Sequence, residues 1–244
     1  MKRALIVGGA NGIGLSIATL LAQKESCQKV YIVDKVSPSA CFMNPKFECF
    51  EFDLTESDYS FFDRFNDIDT LMITAGFGRL AHFCDLDENH IINSINVNAT
   101  AVIRIIHRFY KHIHSTDDFY CGVMGSIAGF MSSPLFSVYG ASKAALKIFI
   151  ESVNVELSKA GTSNRILNVS PGSIKGTAFY NGTNDLNQTA QLASDIIQHL
   201  EDKDDLFIPL YEEVFKEVLR RYHDDFRAEG IHSYEYKIDS GRME

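Results

Sequence analysis

The 244-residue chain lacks several features that would place it in a specialised class. No Pro/Ser-rich tract, low-complexity segment or internal repeat marks a linker, so we expect one domain over residues 1–244. No apolar run reaches the roughly 18 residues that a membrane-spanning helix needs. There is no run of basic residues, and the net charge of −9 argues against nucleic acid as a partner, because binding phosphates requires a basic surface.

The cysteines and histidines indicate neither a disulfide framework nor a metal site. Five scattered cysteines form no C-x-x-C pair: Cys27, Cys41, Cys49, Cys84 and Cys121. His107 and His114 lie seven residues apart without a third ligand nearby in sequence, so we predict no bound metal. Free thiols suit a reducing compartment, and residues 3–7 already have the pattern of a buried strand. We therefore expect no signal peptide and a soluble, cytoplasmic protein.

Short apolar runs alternate with longer stretches of helical periodicity. The apolar runs cover residues 4–7, 30–33, 47–52, 71–73, 119–124 and 166–169, and the helical stretches cover 12–26, 96–114 and 137–159. Continuous apolar runs of this length are typical of strands covered on both faces. Their alternation with helices predicts a single-domain α/β protein with a doubly wound Rossmann fold, whose mostly parallel central sheet is flanked by helices on both faces.

A glycine-rich turn follows the first predicted strand and opens a helix, with the sequence Gly8-Gly9-Ala10-Asn11-Gly12-Ile13-Gly14. Glycines without a Cβ let the backbone approach a pyrophosphate, and the helix N-terminus offers free N–H groups and a favourable dipole. In this context the turn predicts a dinucleotide site that includes Gly8, Asn11, Gly12, Ile13 and Gly14.

Asp34 ends the second predicted strand, 20 residues beyond Gly14. A carboxylate at this point accepts hydrogen bonds from the adenosine ribose hydroxyls and repels a 2′-phosphate, which favours NAD(H) over NADP(H). The neighbouring Lys35 keeps NADP(H) open as the weaker alternative, because its ammonium could approach a phosphate.

Tyr139 and Lys143 lie four residues apart in a helical pattern and therefore share one helix face. Ser126 precedes Tyr139 by thirteen residues, in a turn after an apolar strand. A phenol is a poor base at its usual pKa of about 10, and an adjacent ammonium stabilises the phenolate and lowers that pKa. These residues and the spacing of the glycine turn resemble the short-chain dehydrogenase/reductase family.

The resemblance implies a catalytic group in which Tyr139 is the general acid/base and Lys143 both lowers the pKa of Tyr139 and binds the nicotinamide ribose. It implies that Ser126 hydrogen-bonds the substrate oxygen on which charge changes. The family also uses an asparagine of the central helix, and the segment 95–100 offers two. Counting along the helix favours Asn96 as this catalytic residue, with Asn98 in reserve.

Three further segments match turns that contact the cofactor in this family. Asp53 and Leu54 follow the third strand, where members of the family contact the adenine. Ala75 and Gly76 end a second motif, in which Ile73 and Thr74 stand in place of the two asparagines of the family. Pro171, Gly172 and Ile174 match the turn that contacts the nicotinamide. The usual threonine of that last turn would fall at Gly176, whereas this chain has Thr177. We therefore add these matching positions to the predicted cofactor contacts, together with Tyr139 and Lys143.

The resemblance implies an NAD(H)-dependent oxidoreductase that interconverts an alcohol and a carbonyl, acting as a homodimer or homotetramer through the helices at 96–114 and 137–159. Two alternatives stay open: a nucleotide-binding regulator without turnover, and a related sugar epimerase or dehydratase. The identity of the substrate and the direction of the reaction also stay open. An apolar or ring-bearing substrate is favoured by aromatic residues near the expected pocket: Phe77, Phe130, Phe136, Phe179 and Tyr180.

Two segments after the last matching motif complete the prediction. Residues 176–190, rich in Gly, Asn and Thr, are predicted to form a substrate loop. Residues 210–228 are predicted to form a C-terminal helix whose apolar stripe is typical of core or subunit packing: Tyr211, Val214, Phe215, Val218, Leu219, Tyr222 and Phe226. The sequence at 234–242 departs from the short Asp-Gly-Gly ending of many family members, so the packing of this end is left open.

Overall fold

The structure is a computed structural model that describes residues 1–177, 179 and 184–241. Within these ranges seven strands form one parallel sheet in the order β3-β2-β1-β4-β5-β6-β7. The strands are β1 Arg3–Val7, β2 Lys29–Asp34, β3 Phe47–Glu51, β4 Thr70–Ile73, β5 Tyr120–Met124, β6 Ile166–Val169 and β7 Leu206–Phe207. The predicted doubly wound fold is confirmed, and the two-residue β7 adds an edge strand that the apolar runs did not indicate.

Helices cover both faces of this sheet. They are α1 Gly12–Gln23, α2 Glu88–Ile95, α3 Ala101–Ile113, α4 Ser137–Ala160, α5 Leu186–Glu201, α6 Lys216–Asp224 and α7 Phe226–Asp239. Apolar residues of α1 and α5 pack in one core, such as Leu15, Leu21 and Ile196. Residues of α3 and α4 fill the other core, such as Phe109 and Ile150. Burial on both sides explains why the central strands are continuous apolar runs. None of the helices in the described ranges is long and apolar enough to cross a membrane.

The crossover from β3 to β4 is covered by an aromatic cluster built around the 3₁₀ turn Ser60–Arg64. Tyr59, Phe62 and Phe65 are each only 1% exposed. Phe52 stacks on Phe61 with ring centroids 4.8 Å apart, and it meets Phe62 edge-on at 5.2 Å. These large rings bury apolar surface and cover the sheet where this connection forms a 3₁₀ turn in place of a full helix.

The central helix begins earlier than its apolar spacing predicts. Asp87 caps α2 by accepting a hydrogen bond from the backbone N–H of His90, at 2.8 Å. A π-helical turn, Asn96–Thr100, then joins α2 to α3. Such turns insert an extra residue into a helix and are frequent at functional sites.

The helix predicted over 210–228 is divided in the structure, which corrects that prediction. Leu210 has a left-handed backbone with φ of +59°, and a π-helical turn, Tyr211–Phe215, leads into α6. Asp225 then adopts an extended backbone and caps α7 by accepting from the N–H groups of Arg227 and Ala228. An aspartate with this capping geometry ends one helix and starts the next, and this outweighs the apolar periodicity.

The loop predicted over 176–190 lies partly outside the described residues. Its last five positions belong to the first turns of α5, which begins at Leu186. Asp185 caps that helix by accepting from the N–H of Asn187 at 3.0 Å. The buried hydroxyls of Ser16 on α1 and Thr189 on α5 are 2.5 Å apart, so this part of the segment is anchored to the core.

Candidate active site

A cavity of about 970 Å³ opens at the carboxyl ends of the parallel strands. In a doubly wound sheet this edge, where the strand order reverses between β1 and β4, is the usual ligand-binding position. The cavity extends from the glycine turn after β1, past the ends of β4, β5 and β6, to helices α6 and α7.

The glycine turn is tightly packed against the segment that follows β4. A Cβ added to Gly8, whose φ is +87°, would lie 2.3 Å from the backbone nitrogen of Ala75, and a Cβ on Gly14 would lie 2.3 Å from the carbonyl oxygen of Gly8. Thr74 donates its hydroxyl to that same carbonyl at 2.9 Å. A larger residue than glycine at either position would therefore open the turn.

The N-terminus of α1 fits an anionic ligand. The backbone N–H of Gly12 donates to the amide oxygen of Asn184 at 2.6 Å, and the amide nitrogen of Asn184 donates to Asn11 at 3.0 Å. An oxygen ligand is thus already held at a helix N-terminus, where the free N–H groups and the helix dipole also favour a pyrophosphate. The residues present fit the dinucleotide that the turn predicts.

Asp34 lies at the opposite edge of the turn and lines the cavity. Its carboxylate accepts from the backbone N–H of Ala10 at 3.0 Å and from that of Lys35 at 2.7 Å. The ammonium of Lys35 lies 2.9 Å from the carboxylate of Asp53. The backbone N–H of Thr55, the Lys35 ammonium and the Thr55 hydroxyl together lower the pKa of Asp53 to about 2. Lys35 is therefore paired with a fully ionised carboxylate.

Ser126, Tyr139 and Lys143 come together beside the ends of β5 and β6. Ser126 follows β5 with an extended backbone and is 8% exposed, and its hydroxyl accepts from the backbone N–H of Ala128 at 3.2 Å. The same hydroxyl lies close enough to the phenol of Tyr139 to lower the pKa of that phenol. Lys143 is 3% exposed, with its ammonium 5.7 Å from the centre of the Tyr139 ring. Its Nζ donates to the carbonyl oxygen of Met124 at 2.7 Å. All three residues line the cavity.

In the protein without a bound cofactor, burial is the main cause of the pKa shifts of Tyr139 and Lys143. It raises the pKa of Tyr139 to about 12, against a smaller lowering by the hydrogen bond from Ser126. It lowers the pKa of Lys143 to about 8, because a buried ammonium loses its hydration. At neutral pH Tyr139 therefore holds its proton, and Lys143 is poised close to its titration point.

The structure separates the two candidate asparagines of the central helix. Asn96 is exposed and does not line the cavity. Asn98 is fully buried: its amide oxygen accepts from the N–H of Phe77 at 2.9 Å, and its amide nitrogen donates to the carbonyl of Phe77 at 2.8 Å and to the hydroxyl of Ser142 at 3.2 Å. A Cβ built on Gly76 would lie 3.2 Å from the Asn98 oxygen and 3.4 Å from the Lys143 nitrogen. The reserve candidate Asn98 is thus the one next to Lys143.

The remaining predicted cofactor contacts all line the cavity: Gly8, Asn11, Gly12, Ile13, Gly14, Asp53, Leu54, Ala75, Gly76, Pro171, Gly172 and Ile174. Of the predicted aromatic residues, Phe77, Phe136 and Phe179 line it as well, and Phe136 stacks on Phe179 with centroids 5.8 Å apart. Phe130 does not line the cavity, since its ring lies under the ammonium of Lys147 instead. Tyr180 lies outside the described residues.

Residues of α6 and α7 line the cavity although the sequence did not indicate it. Val214, Phe215 and Val218 belong to the stripe interpreted as core or subunit packing. The sequence did not indicate a site at the other lining residues of this region, which are Arg221, Glu229, His232, Ser233, Tyr236 and Lys237. Periodicity shows that a helix has an apolar face but not what that face covers. The one available signal was the unusual ending at 234–242, which did not match the family.

The chain belongs to the short-chain dehydrogenase family, since residues 2–188 match the family model described as short chain dehydrogenase. It is 29% identical over 169 residues to the dehydrogenase RED2 of Cochliobolus heterostrophus, across 66% of this chain and 63% of that protein. It is 28% identical over 183 residues to 17-beta-hydroxysteroid dehydrogenase type 1 of Homo sapiens, across 68% of this chain and 56% of that protein. In both cases the match spans less than two thirds of the relative.

The fold is shared with a short chain dehydrogenase from Burkholderia cenocepacia J2315, whose structure was solved in complex with NADP. The TM-score is 0.76, and the match covers 96% of this chain and 99% of that chain. The two sequences are 20% identical, so this likeness concerns the fold alone.

Proposed function

We propose that the protein is an oxidoreductase that interconverts an alcohol and a carbonyl by hydride transfer with a nicotinamide dinucleotide. One observation carries this proposal: Ser126, Tyr139 and Lys143 meet in the same cavity as the glycine turn. The family supports it, and so do the names of the relatives, which are dehydrogenases. A regulator without turnover would need neither a buried ammonium nor a buried phenol beside a serine hydroxyl.

In the proposed reaction the bound cofactor supplies the hydride chemistry and the protein supplies orientation, charge and the proton. Tyr139 holds a proton at neutral pH and donates it to the carbonyl oxygen during reduction. Ser126 hydrogen-bonds the same oxygen and stabilises the charge that develops there. Lys143 lies close enough to stabilise the phenolate that Tyr139 becomes after donation. The direct test is a set of ketones incubated with NADH, followed by absorbance at the nicotinamide band.

We propose that Asn98, rather than Asn96, is the asparagine that this site uses, as a positioning residue. It ties the segment after β4 to α4 at Ser142, next to Lys143. Replacing Asn98 with Ala should leave the N–H and carbonyl of Phe77 unpaired and cost about 1–3 kcal/mol for each buried group. We expect lower unfolding free energy and weaker NADH binding for this variant.

Asn96→Ala is the matched control, because its exposed side chain lines no part of the cavity. Urea unfolding and NADH titration of both variants make the comparison. The assignment made from the sequence would be restored if Asn96→Ala lost much of its unfolding free energy and NADH affinity while Asn98→Ala kept both at the wild-type values.

We propose that NAD(H) is the preferred cofactor and NADP(H) the weaker alternative. Asp34 places a carboxylate at the end of β2, and the neighbouring cation, Lys35, is paired with Asp53. A 2′-phosphate would therefore meet negative charge. The NADP-bound structure from Burkholderia cenocepacia does not bear on this choice at 20% identity.

Asp34→Ala is expected to reduce the preference for NADH over NADPH by about 10- to 100-fold, the worth of a hydrogen bond to a charged group. Fluorescence titration of both cofactors gives the two Kd values. Asp53→Asn tests the role of Lys35, because it releases the Lys35 ammonium from its ion pair. This variant should reduce the preference for NADH over NADPH by a smaller factor than Asp34→Ala does. Adding Lys35→Ala to Asp53→Asn should restore the wild-type preference. Tighter binding of NADPH by the unmutated protein would overturn the assignment.

We propose that the protein assembles as a homodimer or homotetramer through α4 and the central helix. Ile148 and Val155, seven residues apart on α4, are 59% and 70% exposed, and Ile92 on α2 is 48% exposed. Exposed apolar residues that share a helix face are typical of an interface. Light scattering at micromolar concentration should give at least twice 27.4 kDa, and Val155→Glu should shift the mass downwards. A purely monomeric wild-type protein would refute the proposal.

A further inference from the structure

Part of the cavity wall is formed by a segment outside the region that the family model matches. The family model ends at residue 188, whereas several residues between 209 and 237, on α6, α7 and the turns before them, also line the cavity. We call these residues the α6–α7 wall. Because the reacting group belongs to the shared part of the chain, the α6–α7 wall is where this protein can differ in what it binds.

The α6–α7 wall is fastened at two points, one between its helices and one near its C-terminal end, so its side chains have defined positions. Arg221 on α6 donates two hydrogen bonds to the carboxylate of Glu229 on α7, at 2.7 and 3.1 Å. The ammonium of Lys237 donates to the hydroxyl of Ser133 at 2.9 Å and to the carbonyl of Pro134 at 2.8 Å. Ser133 and Pro134 precede α4, which carries Tyr139, so the wall is tied to the catalytic helix.

The wall has an apolar part and a polar part. Leu210, Val214 and Val218 recur every four residues and present an apolar stripe to the cavity. On α7 the cavity is lined at positions 229, 232, 233 and 236, spaced as one helix face. Within the part of the chain that the structure describes, the side chains of His232 and Ser233 make no hydrogen bond to another residue. This polar face is therefore available to a ligand.

Both cations at this end already have hydrogen-bond partners, which bears on the kind of ligand group that the face can bind. The guanidinium of Arg221 is engaged by Glu229, which is only 7% exposed, and the ammonium of Lys237 is held by Ser133 and Pro134. A carboxylate or phosphate brought to this face would meet the negative charge of Glu229. An ionised carboxylate that accepts two hydrogen bonds from Arg221 still has free lone pairs, so it suits a hydroxyl donor.

We propose that the substrate of this site is an apolar, ring-bearing ketone, or the corresponding secondary alcohol, with an uncharged hydroxyl at the end remote from the reacting carbon. The apolar body lies against Phe136 and the Val214–Val218 stripe, and the remote hydroxyl donates to Glu229 and is held by Ser233. This inference rests on the proposed function, because it places the reacting oxygen at Ser126 and Tyr139.

Equilibrium binding tests the proposal without requiring turnover. The probes are 2-tetralone, 6-hydroxy-2-tetralone and 6-carboxy-2-tetralone. A second series consists of a four-ring steroid ketone in its unsubstituted, hydroxylated and carboxylated forms. Each ketone is titrated by calorimetry into the protein saturated with NAD⁺, with which a ketone cannot react because both are oxidised. In at least one ring series the hydroxyl compound should bind about tenfold more tightly than the unsubstituted ketone, the worth of about one hydrogen bond. The carboxylate should bind more weakly than the unsubstituted compound.

Variants of α7 then locate the hydroxyl. Ser233→Ala and Glu229→Gln should each bring the ratio of the two Kd values, unsubstituted over hydroxylated, close to one. Glu235→Gln should retain the wild-type ratio, because Glu235 is exposed on the same helix and does not line the cavity. If loss of the Arg221 pair prevents Glu229→Gln from folding, Ser233→Ala reports the same ratio.

Equal affinities within both series, tighter binding of the carboxylates, or no binding of any probe would overturn the inference. Incubation of the same probes with NADH examines the proposed function separately. Probes that bind in the expected order but are never reduced would refute the oxidoreductase proposal while leaving the α6–α7 wall as the binding site for a hydroxylated apolar ligand.

Discussion

Tyr139→Phe is expected to lower kcat by about 10² to 10⁴, the usual contribution of a general acid or base. The substitution keeps the ring, whose centroid lies 5.4 Å from that of Phe136 and 5.2 Å from that of Phe179, and removes only the hydroxyl beside Ser126. Packing and the glycine turn are unchanged, so the Kd for NADH should stay within about twofold of the wild-type value. Steady-state rates on a ketone that the wild-type protein reduces, with a parallel NADH titration, provide the measurement.

Tyr120→Phe is the control for this experiment. Tyr120 begins β5 and does not line the cavity, so loss of its hydroxyl should leave both kcat and the Kd for NADH unchanged. A Tyr139→Phe protein with the wild-type rate would show that another group transfers the proton. The mechanism would then have to be assigned to a different residue.

Lys143→Met is expected to weaken NADH binding and to lower kcat by a factor comparable to that of Tyr139→Phe. Methionine fills nearly the same buried volume but removes the ammonium that lies 5.7 Å from the Tyr139 ring. Without this charge the phenolate of Tyr139 is less stable, and the proposed contact to the cofactor ribose is lost. Lys147→Met, one turn along α4 and outside the cavity, is the control and should have little effect on either quantity.

The same substitution should make the stability of the cofactor-free protein respond differently to pH. Burial lowers the pKa of Lys143 from 10.5 to about 8, so between these values the unfolded chain binds more protons than the folded protein. The unfolding free energy of the wild-type protein therefore gains a contribution as pH rises from 8 to 10.5. Below pH 8 the buried ammonium costs about 3 kcal/mol, because each tenfold change in a protonation equilibrium corresponds to about 1.4 kcal/mol.

Lys143→Met has no buried ammonium, so it avoids the cost of burying that charge at every pH. The substitution also leaves the carbonyl of Met124 without its hydrogen-bond partner, which offsets part of the resulting gain in unfolding free energy. The stability of the variant minus that of the wild type should consequently fall by about 3 kcal/mol between pH 7 and pH 10.5. Urea unfolding at both pH values measures the difference. A difference that does not change with pH would mean that the Lys143 ammonium is better solvated than its burial indicates.

Local patterns predicted the parts of the site that are contiguous in sequence. The turn from Gly8 to Gly14 follows β1 directly and opens α1, so strand, turn and helix are all visible in a short stretch. Tyr139 and Lys143 lie on one regular α-helix, in which a separation of four residues places both side chains on one face. Asp34 was identified for the same reason, because it is the last residue of an apolar strand.

The choice between Asn96 and Asn98 depended on the tertiary structure. Counting along the chain assumes a regular helix, whereas the π-helical turn Asn96–Thr100 inserts a residue and rotates the positions on it relative to α3. Nothing in the local sequence marks that turn. The contacts that support our proposal of Asn98 are those with Phe77 and Ser142, which are 21 and 44 residues away in the chain.

By itself the sequence determined the doubly wound sheet, the glycine turn and the Tyr139–Lys143 pair, because each depends on backbone preferences and periodicity within a few residues. Only the tertiary structure decided which asparagine is buried near Lys143, that Lys35 is paired with Asp53, and that the apolar stripe of α6 and the polar face of α7 line the cavity. The physical reason is that an amphipathic helix must bury its apolar face, but its sequence does not specify the partner. That partner follows from long-range contacts such as those of Arg221 with Glu229 and of Lys237 with Ser133.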